Sequence, residues 1–220
     1  MCTKSVRVFL VCFAVAGLTA CGTEEGFQQV RWNAAEESND QIARLRDLSI
    51  TTERNMPTTG SASYAGHAVM RMDRSPFTEF DNIAIVADAS MTAEFSGTGT
   101  FTGSITNFEA VTSAGTDTQT LVPASGEILI GQDESLIGTG TLNNALAADY
   151  AGGFTVDGTS YTVDGVIIGQ FIGNRTSDPT PAGITKGVVG GNTTLSTQYA
   201  VTDTGALTAF ELTVFGETVR

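Results

Sequence analysis

Residues 163–191 read V-D-G-V-I-I-G-Q-F-I-G-N-R-T-S-D-P-T-P-A-G-I-T-K-G-V-V-G-G, and their period constrains the fold more than any other stretch. One face carries Val163, Gly165, Ile167, Gly169, Phe171 and Gly173. The other carries Asp164, Val166, Ile168, Gln170 and Ile172. Strict alternation over this length is a strand signature. Large residues alternating with glycine on one face suit the tapering interior of a small closed barrel, and glycine lets a strand bend at a barrel corner. A polar loop holding Asn174, Arg175 and Asp178 follows, and then a second Gly-rich strand over 184–191.

The rest of the chain repeats the pattern. Ala62, Tyr64, Gly66, Ala68 and Met70 share one face of a first strand; Ala89, Met91, Ala93 and Phe95 share one face of a second, over 83–95. In a third, Gly97, Gly99, Phe101, Gly103 and Ile105 face one way, and Thr98, Thr100, Thr102, Ser104 and Thr106 the other. That is a half-buried antiparallel strand. Further strands are expected at 126–131, 136–142, 154–156, 161–172, 184–191, 195–201 and 207–215, parted by turns at Asp157-Gly158, Asp203-Thr204-Gly205 and Gly115-Thr116-Asp117. The expected fold is all-β: an antiparallel up-and-down β-barrel of about eight strands. The all-Thr/Ser second face of the third strand suits water better than the apolar band of a membrane pore.

The first residues read as a secretion leader. Lys4 and Arg7 precede an apolar run over 8–20, too short to span a bilayer comfortably. The run ends in Leu18-Thr19-Ala20-Cys21-Gly22, which resembles the bacterial lipobox. Cys2 and Cys12 lie in the leader, so Cys21 is the lone cysteine expected after processing and the residue expected to carry lipid. Gly22 lacks the Asp that often retains lipoproteins in the inner membrane, so the outer membrane is the expected address. The expected organisation is a lipoprotein signal peptide over 1–20, a lipid-anchored tether with a short helix over 21–57, and a soluble barrel over 58–220. The helix is read from about 34 to 48, from Asn33-x-x-Glu36 capping and the spacing of Ile42, Leu45 and Leu48.

Composition excludes several functions. The formal net charge is −13, and no Lys or Arg occurs between Arg74 and Arg175. A nucleic-acid surface needs clustered cations, so no nucleic-acid partner is expected. His67 is the sole histidine; its parity puts it on the outer face, where it reads as a solvated surface residue. No G-x-S-x-G elbow accompanies it, and with no cysteine pair a zinc site lacks ligands. Asp157, Asp164, Asp133 and Glu134 read as turn and hairpin acids rather than a calcium loop. No enzyme activity, no metal and no resident cofactor are expected. Haem ligation by His67, Tyr64, Tyr150, Tyr161 or Tyr199 is the one cofactor alternative kept.

Tyr64-Ala65-Gly66, the run Met91 to Gly103, Gly152-Gly153-Phe154, Gly169-Gln170-Phe171-Ile172-Gly173 and the Gly-rich run over 183–191 resemble the barrel domain of transferrin-binding protein B. The resemblance spans most of 60–191. It implies a surface lipoprotein, delivered outward by lipoprotein export machinery, whose barrel loops bind an extracellular protein or haem in iron acquisition. That family has two lobes, each a handle plus a barrel; here a single barrel follows a short N-terminal segment. Binding is expected in the longer polar loops over 71–81 (Arg71, Arg74, Phe77), 112–124 and 174–182 (Asn174, Arg175, Asp178). The alternatives are a periplasm-facing structural lipoprotein and a lipocalin-like small-molecule carrier.

Overall fold

A computed structural model describes residues 33–73, 82–112, 120–139, 142–173, 187–192, 198–201 and 209–219. Among the described residues, one helix, α1 (Asn33–Arg46), and a 3-10 turn (Glu53–Asn55) precede ten strands. These are β1 (Ser61–Asp73), β2 (Asn82–Glu94), β3 (Thr100–Thr112), β4 (Thr120–Val122), β5 (Ala124–Thr139), β6 (Leu142–Val156), β7 (Thr159–Ile172), β8 (Gly187–Asn192), β9 (Gln198–Val201) and β10 (Ala209–Thr218). β4 continues β5 across Pro123, and β9 pairs β7 beside β8, so the strands fill eight positions. Every described pairing is antiparallel. The ring β1-β10-β8-β7-β6-β5-β3-β2 closes back on β1, giving the closed eight-stranded barrel that the alternation implies.

The interior follows the parity read from sequence. Tyr64, Ala68, Met70, Ile85, Ala89, Met91, Ala93, Phe101, Ile105, Val163, Ile167 and Phe171 are all buried in one core. Phe171 is its aromatic hub, with ring centroids 6.2 Å from Tyr64, 5.5 Å from Phe95 and 6.4 Å from Phe101. The gap lined by Met91, Phe101, Leu146, Ile167, Val188, Gly190 and Val214 has no room for a water molecule. The barrel is filled, as expected at this strand number.

Several local expectations are corrected. Gly97 and Gly99 are not strand residues: both have positive φ (65° and 66°) in the turn between β2 and β3. The two short strands expected at 126–131 and 136–142 are one strand, β5. Its pairing with β6 shifts between Ile130 and Ser135, so Asp133 and Glu134 lie in a bulge rather than a turn. The Asp149 carboxylate holds that bulge by accepting from the Glu134 N–H at 2.9 Å. β6 begins at Leu142, well before Phe154. On β3 the inward parity changes after Ile105, because Asn107 (φ 55°) forms a bulge opposite Ala87 that turns Phe108 and Ala110 inward. The Asp157-Gly158 turn is as read, with both residues at positive φ in a two-residue hairpin.

The helix lies where expected in the chain, but it packs on a different stripe. Ser38, Gln41 and Leu45 are buried, while Ile42 is half-buried and Leu48 falls beyond the helix end. Spacings of four and three align these residues on one side. Small and polar side chains allow a close approach to the outer wall of β1, β2 and β10. Ala34 and Ala35 pack on the outward Ala84, Val86 and Val111. Glycines on the barrel make the room: a Cβ at Gly187 would lie 2.2 Å from Leu45 Cδ2, and one at Gly66 2.7 Å from Gln41 Oε1. The helix belongs to the same compact unit as the barrel, Arg31–Arg220.

Beyond α1 the chain crosses one mouth of the barrel. Thr51 N–H donates to Phe171 O (2.8 Å) and Gly173 N–H to Ser49 O (2.7 Å), which pairs this arm with the end of β7. Asn144 Nδ2 donates to Thr51 O at 2.7 Å, and the Thr51 hydroxyl donates to Gly173 O. The 3-10 turn then touches β6, and Met56 packs on the interior core. β6 and β1 have three strands between them in either direction round the ring. The arm therefore spans this end, here called the proximal end, before β1 begins.

Candidate functional surfaces

Of the residues expected to bind, Arg71 is the one among the described residues. Arg71 is exposed on the outer face of β1, opposite Glu211 of β10 and Ala84 of β2. Cys21, Arg74, Phe77, Asn174, Arg175 and Asp178 lie outside the described residues, as do the leader, residues 21–32 of the tether, and the turns at 115–117 and 203–205. The strands flanking these loops are described, and their directions are decisive. β1 ends and β2 begins at the distal end, and the link from β3 to β4 leaves from the same end. β7 ends and β8 begins at the proximal end, beside the arm. The loops over 71–81 and 112–124 therefore leave one end of the barrel and the loop over 174–182 the other.

His67 faces outward, as parity requires, but it is not solvated. Its side chain is 14% exposed, beneath the helix-covered side of the barrel. The ring packs on Phe215, its register partner, with centroids 6.2 Å apart. Asp88 Oδ1 lies 3.8 Å from Nδ1, beyond hydrogen-bonding distance. Asp88 Oδ2 instead accepts from Asn107 Nδ2 at 2.8 Å, which ties it to the β3 bulge. The sequence reading failed here because the wall that α1 covers is built from outward Phe215, Val86 and Val69, whose burial depends on the helix docking. Tyr64, Tyr150 and Tyr161 are core residues; Tyr161 stacks on Phe154 at 5.4 Å. Among the described residues, no cluster of three or more His, Cys, Asp or Glu side chains is placed to hold a metal ion.

One ionic clasp ties α1 to β10. Arg44 Nη2 and Nε donate to Glu217 Oε2 and Oε1 at 2.8 and 3.1 Å. The hydrogen bond from Arg44, and then its charge, hold the Glu217 carboxyl below its ordinary value. A depressed carboxylate contributes stability above its unfolded-state titration, and that contribution is lost as pH falls through the folded-state value. Acidification below the ordinary carboxylate range is therefore expected to loosen α1 first. Hydrogen exchange should show α1 losing protection on acidification before the barrel strands do. In Glu217→Gln that acid-dependent loss should vanish, with α1 protection already lower at neutral pH. An unchanged profile in the variant would mean the clasp contributes nothing. The pair is exposed, so barrel melting should barely move.

Sequence reasoning missed one surface, the outer wall of β5, β6 and β7. Leu136, Ala147 and Ile168 are register partners across the three strands. Leu136 and Ile168 are each 51% exposed, and Leu129, beside Ala151, is 37% exposed. The same face of β3 carries Thr100, Thr102, Ser104 and Thr106. The outward position of Ile168 was the available signal. Its neighbours on the wall come from distant parts of the chain and are assembled only by the register.

The chain matches no family model, no curated protein and no solved structure with which it was compared.

Proposed function

We propose that this chain is a lipid-anchored outer-membrane lipoprotein whose barrel presents loops to an extracellular partner, a single-lobe relative of the transferrin-binding protein B barrel. The role carried by that resemblance is iron acquisition, through haem or a host iron-carrying protein. The observation that carries the reading is the union of a lipobox ending at Cys21 with a barrel whose interior is filled. A filled barrel recognises partners on its outside. The lipocalin-type carrier has no cavity among the described residues to rest on. Acids stand on the outer wall at Asp88, Glu109, Glu127 and Asp164, which suits a barrel held in water on a tether.

The geometry favours the distal loops. The arm spans the proximal mouth, where the 174–182 loop leaves, whereas the 71–81 and 112–124 loops leave from the opposite end. Binding at the distal end is thus independent of the N-terminal arm. Protease added to intact cells tests the reading, with lysed cells as control. Digestion on intact cells is the expected result. Protection until lysis would turn the barrel to the periplasm and overturn the surface-receptor function.

A further inference from the structure

We infer that the outer wall of β5, β6 and β7 is a docking surface for a cationic amphipathic segment of a partner protein. The inference concerns the wall rather than the loops, and it stands whichever compartment the barrel faces.

The first observation is the apolar row. An outward sheet face in water is normally polar, as on β3. Here Leu136 and Ile168 stand two strand spacings apart, about 10 Å, with only Ala147 between them. The step is a shallow trough with two apolar shoulders. Its width matches the diameter of an α-helix, about 10 Å. On the next outward row half-buried Val166 is paired with Asp149, so a carboxylate stands on the trough floor, and on the row beyond it Ala151 lies between Leu129 and Asp164.

Charge complementarity identifies the occupant. The charged side chains around the trough are Glu127, Asp133, Glu134, Asp149 and Asp164, all acidic. No Lys or Arg occurs in the chain between Arg74 and Arg175, so β2 through β7 contribute no cation to this wall. An anionic lipid surface would be repelled. A second copy docking the same wall would set these acids against one another, and like charges across an interface are unfavourable. A segment with an apolar stripe flanked by Lys or Arg satisfies both features, in the helix-in-groove manner. The cations of the described chain, Arg44, Arg46, Arg54 and Arg71, lie on α1, the arm and β1, away from this wall.

The test uses the full processed chain and a fluorescent lysine/leucine peptide written at helical periodicity, followed by anisotropy. Binding is expected, weakening as salt is raised. Leu136→Ser with Ile168→Ser should weaken it by about tenfold or more. Asp164→Lys, which changes charge without touching the apolar row, should weaken it several-fold, while Glu94→Lys, near the proximal rim of β2, should have little effect. Circular dichroism of each variant checks that the barrel is intact. Three results would overturn the inference: equal binding by a glutamate/leucine peptide, binding unaffected by all the wall substitutions, or self-association of the chain abolished by Ile168→Ser. The last would assign the wall to a second copy. None of them bears on the protease result on intact cells, so the two readings fail separately.

Discussion

Phe171→Ala should lower the unfolding free energy by about 3–5 kcal/mol, the range for truncating a fully buried aromatic. Phe171 is completely buried, and three aromatic rings surround it. The interior is already filled, so its neighbours have little freedom to collapse into the space. Its backbone carbonyl also receives the Thr51 N–H, so the cavity would open directly beneath the arm. For a unit of this size the loss corresponds to a fall in Tm on the order of 10 °C. Chemical denaturation should show a lower midpoint at an unchanged slope. Ile168→Ala, on the same strand but facing out, is the control and should change stability by less than about 0.5 kcal/mol. If the two variants fell equally, the inside–outside assignment of β7 would be wrong.

The same strand shows why so much of the fold is legible in the sequence. β7 places large residues and glycine inward with few exceptions, so a period of two suffices to orient it. β6 was missed over most of its length for the opposite reason. Ala145, Ala147, Ala148, Ala151, Gly152 and Gly153 put small residues on both faces, and alternation of small with small leaves no signal. The bulges at Asn107 and at Asp133-Glu134 were invisible because each is defined by a partner strand, through Asp88 and Asp149. The buried stripe of α1 was misread because Ser38 and Gln41 are polar. The burial of Gln41 becomes intelligible only beside the bare backbone of Gly66, as that of Leu45 does beside Gly187. The apolar wall was out of reach for a related reason: Leu129, Leu136, Ala147 and Ile168 form a surface by register, and register is not written in any one stretch.

Exchanging residues 1–21 for an ordinary secretory leader without a cysteine should release the protein from membranes, shifting its membrane-to-soluble ratio by at least about a hundredfold. Acyl chains contribute about 0.8 kcal/mol per buried CH2, and stable anchoring takes more than one chain. Nothing else described here replaces that energy. No described helix is long and apolar enough to cross a membrane. The small apolar stripe of α1 is already used against the barrel through Ala34, Ala35 and Leu45. The acidic wall repels anionic lipid headgroups. Labelled palmitate should enter the wild-type chain and be absent from Cys21→Ser, while the melting of the leader-exchanged barrel should match that of the wild type. A leader-exchanged protein that still pelleted with membranes through a salt wash would defeat the anchor reading. Retention through a salt wash would also point to an apolar contact, and the Leu136–Ile168 trough would be the first surface to mutate.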